Sequence, residues 1–125
     1  MESQTPNDLA GCRVLLIEDQ SMVTMFLQDT LADIGCEVVG SASRFNDAME
    51  KAKSLSFDIA ILDINLNGDL TFSIAETLIE RGLSFVFATG YGATNLPLPL
   101  QGVPTLQKPF MQRDLERAMR TALKM

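Results

Sequence analysis

Short apolar runs alternate with longer stretches of three-and-four spacing along this chain. Residues 14–17, Val-Leu-Leu-Ile, are continuously apolar between polar flanks, the pattern of a strand buried on both faces. Val23, Phe26, Leu27, Thr30, Leu31 and Ile34 then recur at helical spacing, and Gly35 stands where a helix C-terminal cap belongs. Val38-Val39 predicts a second strand. Ser41 or Ser43 is expected to cap the next helix, with Phe45, Ala48, Met49 and Ala52 inward. Residues 57–62 predict a third strand, and Asn65, Asn67 and Gly68 a turn after it. Residues 71–80 place Ala75, Leu78 and Ile79 on one face of a third helix, which Gly82 ends. A fourth strand falls at 84–88, a weaker fifth at 103–107, and a last helix at 111–124 turns Leu115, Ala118, Met119, Ala122 and Leu123 inward.

The fourth crossover breaks the rhythm. Residues 89–102 hold two prolines and three glycines, which oppose a regular helix, so a loop with at most a turn or two of helix is expected. Alternating strands and helices predict an α/β fold: a doubly wound, five-stranded parallel sheet with helices on both faces and an irregular or shortened fourth helix. In open sheets of this kind ligands sit outside the C-terminal ends of the strands. Residues 1–10 are expected to be a flexible N-terminus and 11–125 a single domain.

Composition narrows the function. The chain has 125 residues, 46% hydrophobic and 21% charged, a globular balance with no room for a second core. The longest apolar runs fall far short of the roughly 20 residues of a membrane span, so no membrane insertion is expected. The first ten residues lack a basic start and an apolar stretch, which argues against a signal peptide and for the cytoplasm. Histidine is absent, which removes His-dependent nucleophile pairs and His-based zinc sites. Cys12 and Cys36 lack CxxC spacing and read as two small buried thiols. Met22, Met25, Met49, Met111 and Met119 read as core filler. A net charge of −6 disfavours direct nucleic-acid binding. The charge is uneven: fourteen of the sixteen acids precede residue 81, and residues 82–107 carry no charge at all. Arg113, Arg117, Arg120 and Lys124 make the final helix basic, either as a solvated face or as a docking face.

The predicted strand ends collect chemistry. Glu18-Asp19 follow the first strand, Asp63 the third, Thr89 the fourth, and Lys108-Pro109 the fifth. An isolated Asp after a strand is usually a turn former. Three carboxylates, a hydroxyl and an ammonium at one structural level are harder to assign to chance. Clustered carboxylates raise one another's pKa, and a cation relieves this. Oxygen ligands without His or thiol favour a hard ion such as Mg²⁺. A carboxylate beside such an ion can attack phosphorus and become an acyl phosphate. Phosphoryl transfer then needs positioning and charge neutralisation, which Thr89 and Lys108 supply.

This set resembles the receiver domain of two-component response regulators, over about residues 11–124: Glu18-Asp19, Asp63 within Leu-Asp-Ile-Asn-Leu-Asn-Gly, Thr89, and Lys108-Pro109-Phe110. The resemblance implies a flavodoxin-like (CheY-like) fold, with Asp63 as phosphoacceptor. It implies Glu18, Asp19, Asp63 and the main-chain carbonyl of Asn65 as ligands of Mg²⁺ or Mn²⁺, Thr89 and Lys108 on the phosphoryl oxygens, and a cis Lys108–Pro109 bond. A sensor histidine kinase or a phosphotransfer protein would be the donor. The chain would be a stand-alone switch and not a turnover enzyme, with a downstream protein of unknown identity.

Three departures stand out. Thr105 replaces the aromatic residue usual three positions before the lysine, and Asn67 the proline often found four positions after the phosphoacceptor. Phe87-Ala-Thr-Gly-Tyr-Gly92 is similar to the string that names the FATGUY subgroup, which lacks that aromatic, has a poorly ordered fourth helix and pairs with HWE-type or related histidine kinases. The expected switch is Thr89, Gly90 and Tyr91; Tyr91 is either a loop residue that moves on phosphorylation or a partly buried aromatic. Three other readings compete. One is a receiver-like binding module that works without phosphate. The second, a phosphohydrolase with an Asp nucleophile, lacks its second acid, since Asn65 stands there. The third, a flavin binder, would meet Glu18-Asp19-Gln20 where its phosphate loop should be.

Overall fold

A computed structural model describes residues 8–90 and 96–125. In chain order the elements are β1 (Arg13–Ile17), α1 (Ser21–Ile34), β2 (Glu37–Ala42), α2 (Phe45–Ser54), β3 (Ile59–Asp63), β4 (Asn65–Leu66), β5 (Asp69–Leu70), α3 (Phe72–Glu80), β6 (Ser84–Thr89), β7 (Thr105–Gln107) and α4 (Gln112–Leu123). Five of the strands form one parallel sheet in the order β2-β1-β3-β6-β7. This is the expected doubly wound α/β architecture.

Alternation along the strands sorts the core into two layers, because successive side chains leave a strand on opposite faces. Leu15, Ile17, Ala60, Leu62, Phe85 and Phe87 pack with Ala48 and Ala52 of α2 and Ile74, Ala75 and Leu78 of α3. Val14, Leu16, Ile59, Ile61, Val86 and Ala88 pack with Leu27, Leu31 and Ile34 of α1 and Leu115 and Met119 of α4. The central strands are buried on both faces, which is why they read as continuous apolar runs and not as alternating ones.

Gly35 caps α1 in the left-handed region (φ 101°), and its N–H donates to the Leu31 and Ala32 carbonyls, as its position predicted. The serine cap expected for α2 is absent. Arg44 holds the N-cap position without a side-chain cap, while the Ser43 carbonyl accepts a bond from Asn67 Nδ2. The turn expected after β3 is tighter than a loop: β4 and β5 pair antiparallel around Asn67 (φ 53°) and Gly68 (φ 96°). Asn tolerates that left-handed position better than most residues.

The described part of the fourth crossover, residues 96–104, is irregular, as Pro97 and Pro99 demand. It carries a single 3-10 turn, Leu98–Leu100, which buries Leu100 against the α2/α3 layer. Tyr91 of the expected switch lies outside the described residues.

The structure corrects several expected core positions. Ile79 is 46% exposed because the buried face of α3 runs through Ile74, Ala75 and Leu78. Met22 and Met25 are exposed on α1 and Met111 is exposed before α4; only Met119 of the five methionines is fully buried. Of the stretch 1–10 expected to be flexible, residues 8–10 are described. Leu9 is fully buried in the α1/α4 layer, and Asp8 pairs with Arg120 at 2.9 Å. A lone leucine among polar residues carries no periodicity to announce this. Among the described residues no helix is long and apolar enough to cross a membrane.

Candidate functional site

The C-terminal ends of β1, β3, β6 and β7 meet at one edge of the sheet, and each delivers a residue singled out by sequence. Glu18 follows β1 and its N–H donates to the Ala42 carbonyl. Asp63 is the last residue of β3 and Thr89 the last of β6. Lys108 follows β7, and its N–H donates to the Thr89 carbonyl at 2.8 Å, so the lysine is held in register with the threonine. The Lys108–Pro109 peptide is cis, as the resemblance implied.

Charge is concentrated here inside the fold. Glu18, Asp63 and Thr89 are buried, while Asp19 is half-buried. One carboxylate oxygen from each of Glu18, Asp19 and Asp63 falls within a common 4.8 Å sphere of mutual distances. Lys108 Nζ donates to Glu18 Oε1 at 2.7 Å and to Asp63 Oδ2 at 3.2 Å, across 90 and 45 residues of sequence. The amine therefore stands among the acids and bridges two of them.

The remaining carboxylate oxygens are held by main-chain donors. The Gln20 N–H reaches Glu18 Oε2 at 3.1 Å, the Asn65 N–H reaches Asp63 Oδ1 at 3.2 Å, and the Asn67 N–H reaches Asp19 Oδ2 at 3.0 Å. Among the described residues no buried side-chain N or O atom lacks a partner.

Burial pushes the Glu18 carboxyl up to about 7. The Lys108 and Gln20 bonds pull against that rise and the nearby Asp63 adds to it. Burial also works against the charge on Lys108, but Glu18 and Asp63 outweigh it and raise the amine above its ordinary value. Lys108 thus stays charged at neutral pH.

An open cleft of about 810 Å³ lies over this cluster. Asp19, Asp63, Asn65, Thr89, Gly90 and Lys108 form its polar floor, and Met22, Val23, Phe26, Pro109 and Phe110 its apolar wall. Phe26 and Phe110 meet edge to face at 5.8 Å between centroids. Phe26, expected in the core from its spacing, lines this wall and is 44% exposed, while Val23 lines the wall and also packs against the α1/α4 core as expected.

Sequence reasoning missed Thr71 and Asn67. Thr71 is fully buried, and its hydroxyl donates toward the Asp63 carbonyl at 2.6 Å and lies 3.1 Å from that of Ile64, which pins the chain just after Asp63. A threonine before a helix suggests an N-cap, yet Thr71 makes no side-chain cap. Asn67 was read as a turn former, and its hold on Asp19 comes from backbone that only the β4–β5 hairpin brings near.

A profile described as "Response regulator receiver domain" matches residues 14–120. The chemotaxis protein CheY of Thermotoga maritima is 39% identical over 56 residues, 45% of this chain and 47% of that protein. This chain spans about half, or less, of the length of the curated relatives it matches. The solution structure of SdrG from Sphingomonas melonis Fr1 superposes with a TM-score of 0.80 at 32% identity, covering 92% of this chain and 98% of that one. The receiver domain of the sensor histidine kinase PA1611 from Pseudomonas aeruginosa PAO1, which has magnesium coordinated in its active-site cleft, shares the fold (TM-score 0.79, 20% identity, 93% and 100% coverage). With the parallel sheet, the acidic cluster and this match over most of its length, the chain belongs to the response regulator receiver domain family.

Proposed function

We propose that this chain is a cytoplasmic phosphoryl-accepting switch of two-component signalling, with Asp63 as the acceptor. One observation carries the reading: Glu18, Asp63 and Lys108, from three separate strand ends, meet in one buried cluster beneath an open cleft. Glu18, Asp19, Asp63 and the main-chain carbonyl of Asn65 would hold Mg²⁺ or Mn²⁺, since the donor set is all oxygen and three carboxylates together demand a counter-charge. Bound there, the ion neutralises charge on the phosphoryl oxygens. An Asp63 oxygen forms a bond to phosphorus as the bond from phosphorus to a donor imidazole nitrogen breaks, and the freed imidazole leaves with its electron pair. Lys108 and Thr89 hold phosphoryl oxygens. Lys108 has to turn from its pairing with Glu18 and Asp63, and that movement, with Thr89, Gly90 and Tyr91, is the switching event.

The donor is a sensor histidine kinase, of HWE type or related, or a phosphotransfer protein, and the Met22, Val23 and Phe26 wall suits an apolar helix from it. The FATGUY assignment is supported by Thr105 in β7 and by the single 3-10 turn in the described part of the fourth crossover. A binding module independent of phosphate is less well supported, because it has no use for buried carboxylates paired with a lysine.

The test is incubation with Mg²⁺ and acetyl phosphate, followed by intact-mass measurement. A phosphoryl mass gain is expected in the wild type and none in Asp63→Asn. No gain in the wild type, or an equal gain in the variant, defeats the proposal.

A further inference from the structure

At the opposite end of the sheet the two cysteines stand side by side. Cys12 immediately precedes β1 and Cys36 immediately precedes β2, whose first residues, Arg13 and Glu37, are register partners. Main-chain bonds continue the pairing outward: the Glu37 N–H donates to the Cys12 carbonyl and the Gly11 N–H to the Gly35 carbonyl, both at 2.8 Å. Neighbouring strands lie about 4.8 Å apart, inside the Cα separation of about 4.4–6.8 Å that disulfides adopt. Both side chains pack on the α1/α4 layer, so they leave the sheet on the same face. Each is partly exposed, where the sequence had suggested burial.

We propose that Cys12 and Cys36 form a redox-modification site, a dithiol that a hydroperoxide converts to an intramolecular disulfide and that a thiol reductant restores. The Cys36 sulfur attacks one peroxide oxygen; the S–O bond forms, the O–O bond breaks, and the departing oxygen takes a proton to leave as water or alcohol. The Cys12 sulfur then attacks the Cys36 sulfenic sulfur. The S–S bond forms, the S–O bond breaks and a second water leaves, so two thiols have lost two electrons to one peroxide.

The interaction between the thiols favours Cys36 as the first nucleophile. The hydrogen bond from Cys12 lowers the Cys36 thiol below its ordinary value against the effect of its own burial. As the donor, and by burial, Cys12 is pushed up. The Cys36 thiol also donates to the carbonyl of the buried Leu9 at 3.5 Å. The resulting loop encloses β1, Glu18, Asp19 and the whole of α1, so the crosslink ties down the base of the helix whose other end walls the cleft. None of this depends on Asp63 accepting phosphate.

The experiment treats the reduced full chain with hydrogen peroxide and follows it by intact mass and non-reducing peptide mapping. A monomer lighter by two hydrogen atoms, with a mapped Cys12–Cys36 peptide and full reversal by dithiothreitol, is expected. In Cys12→Ser the crosslink is lost and dimedone labels Cys36; in Cys36→Ser the crosslink is lost. The proposal is overturned if peroxide that fully oxidises glutathione leaves both thiols free, if the only disulfide joins two chains, or if only methionine oxygens are added. The wild-type map decides the matter even if a variant folds poorly.

Discussion

The two ends of the sheet are built on opposite terms. At the C-terminal ends of the strands, Glu18, Asp63, Thr71 and Thr89 are all buried polar residues, and only Thr30 is buried and polar elsewhere among the described residues. At the N-terminal ends Leu9 is fully buried, the ion pairs of Arg120 with Asp8 and Glu116 are part-exposed, and two thiols stand beside each other. One end keeps desolvated charge in place with a lysine and main-chain donors; the other is closed by apolar packing. Buried charge costs stability unless it is paired, so an end that holds three clustered acids is the end arranged for binding.

The largest effect should come from breaking that pairing. Lys108→Met leaves Glu18 and Asp63 facing each other without a cation and should cost about 3–5 kcal/mol at pH 8. Added Mg²⁺ should restore much of the loss. Urea unfolding with and without the ion measures both, and a cost under about 1 kcal/mol would show that the acids are not electrostatically strained.

At the opposite end, Leu9→Ala should cost about 2–4 kcal/mol through the cavity it leaves. Mg²⁺ affinity, followed by titration, should not change. A matching drop in affinity would mean that the two ends are mechanically joined.

A smaller effect is set by pH. The Glu18 carboxyl lies at about 7 in the folded chain against an ordinary value of 4.5. Below the lower value both folded and unfolded chains carry the proton. Between the two values the unfolded chain has released it and the folded chain has not, so stability falls as pH rises, by about 3 kcal/mol in all, and levels off above 7. Glu18→Gln should flatten this slope in pH-resolved urea melts. In the wild type, Mg²⁺ affinity should rise over the same interval, because the ion competes with that proton.

The smallest effect falls at the cysteine end of the sheet, where Gly35 accepts the Gly11 N–H. Gly35→Ala forces a side chain into the left-handed cap of α1 and should cost about 1 kcal/mol in the same melts, with Mg²⁺ affinity and peroxide sensitivity unaltered.

Much of the site was legible because in a parallel sheet the residue after each strand falls at one edge whatever the connections do. Glu18, Asp63, Thr89 and Lys108 could be aligned from strand ends alone. The direction of the Lys108 amine, into the acids, was not legible, since a lysine beyond a strand can turn either way. Phe26 misled for a related reason: helical spacing reports an apolar face but not whether each residue of that face meets the core or a cleft.

What the order of residues determined by itself was the alternation of buried strands and amphipathic helices, and with it the edge where ligands gather, because strand and helix periods are local properties of the backbone. The tertiary structure alone decided which apolar residues remain in the open, that Leu9 belongs to the core, that Thr71 and Asn67 secure the acids, and that Cys12 lies beside Cys36. Each of these is a contact between distant segments, and it depends on strand register and helix rotation that no local pattern encodes.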